Sequence, residues 1–219
     1  MEKNSKNYFR FAIEMSILTL AYTVLLKKFD VQPVGPNGSS VGLSAVNSFL
    51  SGVFKYNEKW YNITQFMGYV AIGVCLLFGL IGLIQLIQRK SLAKVDRTII
   101  VMGIFYIFVF GLYVFFNKFA LNYRPVLLDE GLEPSFPSSH TLLVCSVMGM
   151  AIVAFDTVIK NLGLRVIADL ACWAAILIMV IGRLLSGVHW VSDIFAGVLF
   201  SVTIVAYYHA IVLMPESED

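Results

Sequence analysis

The stretch EPSFPSSHTLLV, residues 133–144, leads from a polar connection directly into a long apolar run. Pro137 disfavours helix before it, whereas serine is a favoured residue at a helix N-terminus. We therefore predict that a helix begins within Pro137-Ser138-Ser139-His140. A helix N-terminus with free backbone N–H groups favours an anion such as phosphate, and it places His140 at the same mouth. An ordinary helix cap is the alternative interpretation of these four residues taken alone.

The apolar run after this stretch is one of six in the chain. Of the 219 residues, 58% are hydrophobic and the mean hydropathy is +0.80, above the roughly 45–50% apolar content of soluble domains. A membrane-spanning helix needs about 20 mostly apolar residues, and open strands cannot satisfy their backbone groups in lipid. We therefore predict an all-α polytopic membrane protein, a six-transmembrane-helix bundle forming one domain over residues 1–219. The predicted spans are residues 11–26, 64–87, 98–117, 141–159, 166–185 and 190–213.

The N-terminal segment could be a cleaved secretory signal or a retained membrane helix. Lys3, Lys6 and Arg10 precede an apolar run, as they do in a secretory signal. No small-residue cleavage site follows, and Lys27-Lys28 close the segment. We therefore expect a retained first helix.

The positions of lysine and arginine predict the orientation in the membrane. Nine of the 16 lie before the first span, between the second and third spans, or between the fourth and fifth. Three of the other seven, Lys118, Arg124 and Arg183, are candidates for chemistry. We therefore expect a multi-pass protein of the cell membrane, with the N-terminus and the acidic tail PESED in the cytoplasm. The loop over 118–140 and the connection over 183–189 then share the outer face.

The first outer connection, residues 27–63, is long. Residues 43–54 are apolar at helical spacing, which predicts either a short helix in the membrane interface or an ordered loop over the bundle. We favour a lid or flank near the active site. Tyr56, Trp60, Tyr61 and Trp190 are expected to form part of an outer aromatic belt.

The stretch GRLLSGVHWVSD, residues 182–193, carries ionisable residues at the border of two apolar runs. His189 and Asp193 are four residues apart, so on a helix they share one face. A carboxylate at this depth is costly unless it is paired. A contact with the His189 ring would orient the opposite ring nitrogen for nucleophilic attack or base catalysis. The alternative for this segment alone is a structural hydrogen bond beside an arginine that reaches the interface.

Further cations lie in KFALNYRP, residues 118–125. Taken separately, Lys118 and Arg124 are typical interfacial anchors. Pro125 restricts the residue before it, so it can hold Arg124 towards the bundle. Together with His140, His189 and Arg183, these cations suit phosphoryl transfer, in which fixed positive groups stabilise the oxygens of the transferred group.

In these three segments the chain resembles the type 2 phosphatidic acid phosphatase superfamily, the lipid phosphate phosphatases. The family signatures are K-x6-R-P, P-S-G-H and S-R-x5-H-x3-D. This sequence departs from them in three ways: Lys118 is one residue closer to Arg124, Ser139 replaces glycine, and Gly182 replaces serine. The resemblance implies a catalytic core at roughly 98–213, with His189 as nucleophile, His140 as general acid and Asp193 orienting His189. It also implies five phosphate-binding residues: Lys118, Arg124, Ser138, Ser139 and Arg183.

Several expectations concern ligands and partners. The chain has no carboxylate cluster for magnesium, and Cys75, Cys145 and Cys172 lack metal-ligand spacing, so we expect no metal and no cofactor. The net charge of +2 gives no reason to expect a nucleic-acid partner. His209 is expected to be interfacial and non-catalytic. The expected partners are a lipid phosphate substrate and membrane lipids.

The leading hypothesis is hydrolysis of a lipid phosphate or pyrophosphate through a phosphohistidine intermediate, with undecaprenyl pyrophosphate as first substrate. Phosphatidylglycerophosphate and phosphatidic acid are the alternatives. A lipid phosphotransferase would carry the same motifs. A lipid-binding or transport protein with a relic site is the non-enzymatic alternative.

Overall fold

The computed structural model describes residues 2–128 and 131–215, which form seven α-helices. They are α1 (Glu2–Lys28), α2 (Ser44–Val53), α3 (Glu58–Arg89), α4 (Arg97–Lys118), α5 (Ser139–Val158), α6 (Leu162–Ser186) and α7 (Val191–Val212). Short 3-10 turns lie at Pro36–Gly38 and Leu92–Lys94. Six helices are long and apolar enough to cross a membrane, and α2 is the seventh. Within the described ranges there is no β-strand, so the predicted all-α six-span fold is confirmed.

Polar caps, rather than hydropathy, set the ends of two spans. Asn57 accepts a hydrogen bond from the backbone N–H of Trp60 at 3.1 Å, so α3 begins at Glu58 rather than near residue 64. Asn161 accepts one from the backbone N–H of Leu164 at 3.0 Å, so α6 begins at Leu162 rather than near residue 166. Asparagine caps of this kind satisfy N–H groups that have no partner inside the helix.

Helices α5 and α7 form the centre of the bundle. In the apolar 18-residue stretch of each span, 56% of the residues of α5 and 50% of those of α7 are buried, against at most 17% in the other four spans. Helix α1 packs along α7, and α3 packs against α5 and α6. Small residues allow this close packing: a Cβ added at Gly197 of α7 would lie 2.9 Å from Cβ of Thr141 on α5. The close packing of α5 and α7 therefore fixes the distance between the residues at the ends of these two helices.

The alternating direction of the spans brings the three signature segments to one end of the bundle. The ends of α4 and α6 and the starts of α5 and α7 lie there. The tail residues 216–219, predicted to be cytoplasmic, lie outside the described residues. The orientation of this end relative to the membrane stays a prediction.

The first connection contains the expected short helix, α2. On its buried side, the Asn47 amide donates to Ser192 Oγ at 2.9 Å and accepts from the Ser192 backbone N–H at 3.2 Å. Asp30 holds the start of α2 by accepting hydrogen bonds from Ser44 Oγ and the Ala45 N–H, at 2.7 and 2.8 Å. Helix α2 is therefore fastened to the start of α7. Its other face exposes three apolar side chains: Val46, Phe49 and Val53.

Candidate active site

The two predicted catalytic histidines lie at the same end of the bundle. His140 is the second residue of α5, and His189 lies in the turn between α6 and α7. The positive charges of Arg124 and Arg183 act on both rings, and the two rings also act on each other electrostatically. The structure therefore gathers four residues that are far apart in the chain around one polar centre.

His189 is almost fully buried, with 5% of its surface exposed. Its Nδ1 lies 2.9 Å from the Ser135 hydroxyl, and its buried Nε2 has no hydrogen-bond partner within 2–128 or 131–215. Burial, assisted by the positive charges of Arg183 and Arg124, holds the pKa of His189 well below its usual value of 6.5. The ring is therefore neutral near pH 7, as a nucleophile requires.

The turn before His189 depends on a glycine. Gly187 ends α6 with a positive φ of 65°, a conformation that glycine adopts at no steric cost. A Cβ at Gly187 would also lie 2.6 Å from the backbone carbon of Lys55. The first connection thus packs directly against this turn and helps to fix His189.

Asp193 does not form the predicted direct hydrogen bond with His189. Its Oδ1 instead accepts hydrogen bonds from Asn122 Nδ2 at 2.9 Å and Ser192 Oγ at 3.3 Å. The prediction was wrong because it placed both residues on one helix. Helix α7 begins only at Val191, and Trp190 before it has an extended backbone. His189 therefore precedes the helix and does not share the face of Asp193.

Arg183 is fully buried at the end of α6. One of its N–H groups, at Nη2, donates to Gln65 Oε1 at 3.2 Å, and the guanidinium lies 5.6 Å from the centre of the Tyr61 ring. Its Nε and Nη1 have no hydrogen-bond partner in the described part of the chain. A buried cation with free N–H groups suits an anion, above all a phosphate bound through two parallel contacts.

Arg124 has an acidic partner, Glu133, which lies outside the three signatures. Its Nη1 lies 3.0 Å from Glu133 Oε2, and its backbone N–H donates to the Glu133 carbonyl at 3.0 Å. Its Nε has no hydrogen-bond partner among the described residues. Arg124 is therefore fixed beside the histidines with part of its charge already balanced.

Trp190 holds the loop that carries Arg124. Its indole N–H donates to the Tyr123 carbonyl at 2.7 Å, and only 3% of the residue is exposed. The prediction that Trp190 belongs to an outer aromatic belt is wrong, because its ring is buried and its N–H binds the backbone of the loop. Tyr61, assigned to the same belt, lies against Arg183 instead.

The start of α5 is close to the prediction. Ser138 is buried, its hydroxyl accepts a hydrogen bond from Thr141 Oγ1 at 2.9 Å, and its backbone N–H donates to the Asp193 carbonyl at 2.9 Å. Ser138 makes no side-chain cap to the helix backbone. The first N–H groups of α5, at Ser139 and His140, remain the helix donors for an anion.

Lys118 is placed differently from the other predicted phosphate-binding residues. It is the last residue of α4 and is exposed, with Nζ 5.8 Å from the centre of the Phe119 ring. No contact between Lys118 and the histidines or arginines is found in the described ranges. His209, near the other end of α7, packs its ring 4.0 Å from that of Tyr8, as expected for a residue outside the site.

One face of α3 completes the site, although none of the three sequence signatures includes it. Relative to Tyr61, the other three residues lie at i+3, i+4 and i+7, so all four share a face: Tyr61, Thr64, Gln65 and Gly68. A Cβ at Gly68 would lie 2.9 Å from Cδ2 of His140, and a Cβ at Gly182 would lie 2.7 Å from Cγ2 of Thr64. The polar Gln65 within an apolar run was the available signal.

An apolar cavity opens beside His140 between α3, α4 and α5. Its volume is about 330 Å³. The lining includes Ile72, Tyr106, Phe110, Leu143, Ser139 and His140. A larger cavity of about 1100 Å³ lies at the opposite end of the bundle, beside Arg89 and Arg97, and no predicted site residue lines it. The apolar cavity by His140 suits the hydrocarbon part of a ligand whose polar group reaches the histidines.

The donor set does not resemble a metal centre. Within the described residues, no group of three or more His, Cys, Asp or Glu side chains has a spacing that could hold a metal ion. The expectation of metal-independent chemistry stays a prediction.

Two imidazoles, two guanidinium groups and the N-terminus of α5 therefore meet at one end of the helix bundle, an arrangement that suits an anion. Residues 114–216 match the sequence profile of the PAP2 superfamily, which supports the resemblance that the three signatures indicated. No curated protein sequence matches the chain.

One solved structure is similar in fold, the "first transmembrane PAP2 type phosphatidylglycerolphosphate phosphatase from Bacillus subtilis". The two chains are 15% identical, with a TM-score of 0.54 over 91% of this chain and 93% of that one. At this identity the likeness establishes a shared fold.

Proposed function

We propose that the chain is an integral membrane phosphatase that removes a phosphoryl group from a lipid phosphate or pyrophosphate through a phosphohistidine on His189. One observation carries this proposal. The buried Nε2 of His189 and the Nε and Nη1 of Arg183 have no partners within the described ranges, and they lie around one centre with His140. A phosphate group supplies the oxygens that the arginine N–H groups require and the electrophilic phosphorus that Nε2 requires.

In the first step the lone pair of His189 Nε2 attacks phosphorus and forms a P–N bond. The negative charge of the bound phosphate offsets the charges of Arg124 and Arg183 and favours the protonated form of His140. The P–O bond to the lipid breaks, and His140 transfers its proton to the leaving oxygen. Arg183 and Arg124, with the N–H groups at the start of α5, stabilise the charge on the non-bridging oxygens.

In the second step a water oxygen attacks the phosphorus of the phosphohistidine. His140, now neutral, takes a proton from that water, and the P–N bond breaks with its electron pair returning to Nε2. Orthophosphate leaves, and both histidines regain their starting states. His140 thus acts first as acid and then as base.

The cavity beside His140 supports a lipid leaving group. Because His140 protonates the leaving oxygen, the lipid must extend from the His140 side of the phosphoryl group. The apolar cavity between α3, α4 and α5 begins at that residue. Burying hydrocarbon there is favourable by roughly 25 cal/mol per Å².

Undecaprenyl pyrophosphate is the first substrate to test, with the site on the outer face as the distribution of lysine and arginine predicts. Phosphatidylglycerophosphate and phosphatidic acid are the second and third. All three place an anionic phosphoryl group at the end of an apolar tail, as the site and the cavity require.

The test uses purified protein in detergent with these three lipids and EDTA present. Wild type should release phosphate from at least one lipid, and His189→Ala should reduce release by about 10³-fold or more, as loss of a nucleophile does. His209→Ala is the matched control, since it removes a histidine at the other end of α7 and should retain activity. A wild-type protein that releases phosphate from none of the lipids overturns the proposal.

The same material separates the alternatives. With a lipid labelled in its terminal phosphoryl group, a phosphatase transfers the label to free phosphate, whereas a phosphotransferase transfers it to a second lipid. The label should also appear transiently on His189, in an acid-labile linkage. A lipid-binding or transport protein with a relic site would show neither label transfer nor any difference between wild type and His189→Ala.

A further inference from the structure

A second apolar cavity lies on another face of α4 from the cavity beside His140. Helices α1 and α4 both pack against α7, but within the described ranges they do not pack against each other. The gap between them forms a groove with a volume of about 610 Å³, within the range of about 300–1,000 Å³ that is typical of ligand pockets. Because the bilayer core contains no water to fill such a groove, its walls show what occupies it.

Aromatic rings form one wall of the groove. Four come from α4, one from the residue directly after α4, and one from α7: Phe105, Phe108, Phe115, Phe116, Phe119 and Phe200. Phenylalanine rings offer a large apolar area and no hydrogen-bond donor. This wall therefore suits a hydrocarbon chain.

The opposite wall is a face of α1 that carries hydroxyl groups. Ser16, Thr19 and Thr23 lie at i, i+3 and i+7 and line the groove. Each hydroxyl lies 2.7 or 2.8 Å from the backbone carbonyl four residues before it. Their hydrogen bonds are thus made within α1, so a hydrocarbon chain in the groove leaves none of these three donors unpaired.

Two lysines lie at one end of the groove. Lys27 is in the last turn of α1 and lines the groove. The Tyr22 hydroxyl donates to the Ser192 carbonyl at 3.0 Å, so α1 ends beside the start of α7, at the end of the bundle where α4 finishes at Lys118. The Lys118 ammonium lies 5.8 Å from the centre of the Phe119 ring, which belongs to the aromatic wall. Each of the two helices therefore places a lysine at the same end of the groove.

Both lysines are exposed and lack an acidic partner. No carboxylate within residues 2–128 and 131–215 forms an ion pair with Lys27 or Lys118. Lysines at the end of a membrane span lie at the depth of the lipid headgroups. The phosphodiester of an anionic lipid supplies the negative charge that these two ammonium groups lack.

We propose that the groove between α1 and α4 binds an anionic phospholipid of the bilayer, with a hydrocarbon chain between the two helices and the phosphodiester against Lys27 and Lys118. The bound lipid connects two helices that otherwise meet only through α7. It also gives Lys118 a partner that the candidate active site does not provide. None of the predicted catalytic residues lines the groove, so this lipid site is separate from the proposed phosphatase site.

Quenching of tryptophan fluorescence by brominated lipid chains tests the site in reconstituted bilayers. Phe108→Trp places a reporter in the groove, at a side chain that is 52% exposed, and the signal of the protein without this substitution is subtracted. Phosphatidylglycerol is compared with phosphatidylcholine in mixtures in which only one of the two lipids is brominated. Phosphatidylglycerol carries a phosphodiester, so it lacks the terminal phosphoryl group of the proposed substrates. We expect the reporter to prefer phosphatidylglycerol by about fivefold for each lysine.

The lysine variants test the headgroup contact. Lys27→Gln combined with Lys118→Gln removes both charges and should reduce the preference to about one. Lys28→Gln combined with Lys59→Gln is the matched control, because it removes two exposed lysines at the same end of the bundle that do not line the groove. This control should retain the preference. Lys27→Arg combined with Lys118→Arg should retain it as well, since both positive charges remain.

Phe110→Trp is the matched reporter on the same helix, because Phe110 lines the cavity beside His140. Its quenching should not change when Lys27 and Lys118 are replaced by glutamine. Three results would overturn the proposal: equal quenching of the Phe108→Trp reporter by both lipids, no quenching by either lipid because a protein segment or a second copy covers the groove, or loss of the preference in the Lys28 and Lys59 control. The test needs no phosphate release, so its outcome is independent of the proposed phosphatase activity.

Discussion

Gly68 of α3 gives a sharp test of how His140, the proposed general acid, is held in position. A Cβ added there would lie 2.9 Å from Cδ2 of His140 and 3.4 Å from its Nε2. Carbon atoms in ordinary contact are about 3.5–4.0 Å apart. In Gly68→Ala the His140 ring must therefore move away from α3 by roughly 0.5–1 Å.

A displacement of about 1 Å in a catalytic group costs up to about 10²-fold in rate. We therefore expect Gly68→Ala to lower kcat by about 10–100-fold. The measurement is phosphate release at saturating lipid phosphate in detergent, with thermal unfolding recorded in parallel. The helix should persist, because alanine is favoured over glycine in a helix by up to about 1 kcal/mol.

Gly73→Ala is the matched control on the same helix, since a Cβ at Gly73 meets no atom within 4 Å. It should leave kcat unchanged. Equal kcat for Gly68→Ala and Gly73→Ala would refute the reasoning, because it would show that the contact between α3 and His140 does not set the position of the acid.

The remaining predictions concern pH, phosphate binding and the first connection. Because burial and nearby cations hold the pKa of His189 below 6.5, its neutral, nucleophilic form persists to lower pH than in an exposed histidine. The acid limb of kcat/KM should therefore have its midpoint below pH 6.5, and a midpoint above that value would contradict the assignment. Lys118→Gln should raise KM for the lipid phosphate far less than Arg183→Gln, since Lys118 is exposed and Arg183 is buried in the site; equal effects in steady-state kinetics would place Lys118 in the phosphate site after all. Vanadate should inhibit by occupying the same site as a five-coordinate analogue of the transition state, and activity that persists in millimolar vanadate would count against the site. Asp30→Ala removes the hydrogen bonds at the start of α2, so amide exchange over residues 44–53 should accelerate; unchanged exchange would mean that Asn47 alone holds the helix.

The sequence predicted the number of spans and that the three signature segments would lie at one end of the bundle. Long apolar runs predict membrane spans directly, because the bilayer core excludes polar side chains and unpaired backbone groups. The motif residues His140, Arg183 and His189 could be found because ionisable groups at the borders of such runs are unusual.

The contacts within the site were less accessible from sequence. The expected His189–Asp193 pair assumed a helix over both residues, whereas α7 begins two residues after His189. Ser135 and Asn122 gave no signal of their own, because serine and asparagine are ordinary in a loop. Their contacts with Asp193 and His189 depend on how residues 119–128 and 131–138 pack against the start of α7, which no local pattern specifies.

The prediction of an outer aromatic belt was also wrong for Trp190. Trp190 follows a histidine at the border of a span, which is typical of an interfacial belt. In the structure its ring is enclosed and its N–H bonds to the Tyr123 carbonyl. Burial of a tryptophan in this way requires a carbonyl from elsewhere in the chain, and such a partner is visible only in three dimensions.

The close approach of Gly182 to Thr64 makes these two positions interdependent. Reinstating the serine of the family signature at 182 would place its Cβ 2.7 Å from the Thr64 methyl group, so this change needs a smaller residue at 64 to be accommodated. Introducing the complete PAP2 signature into this chain therefore requires changes in α3 together with those in α6. The third signature is a short linear motif in the sequence, but in this structure its start on α6 is matched to the face of α3 that packs against it.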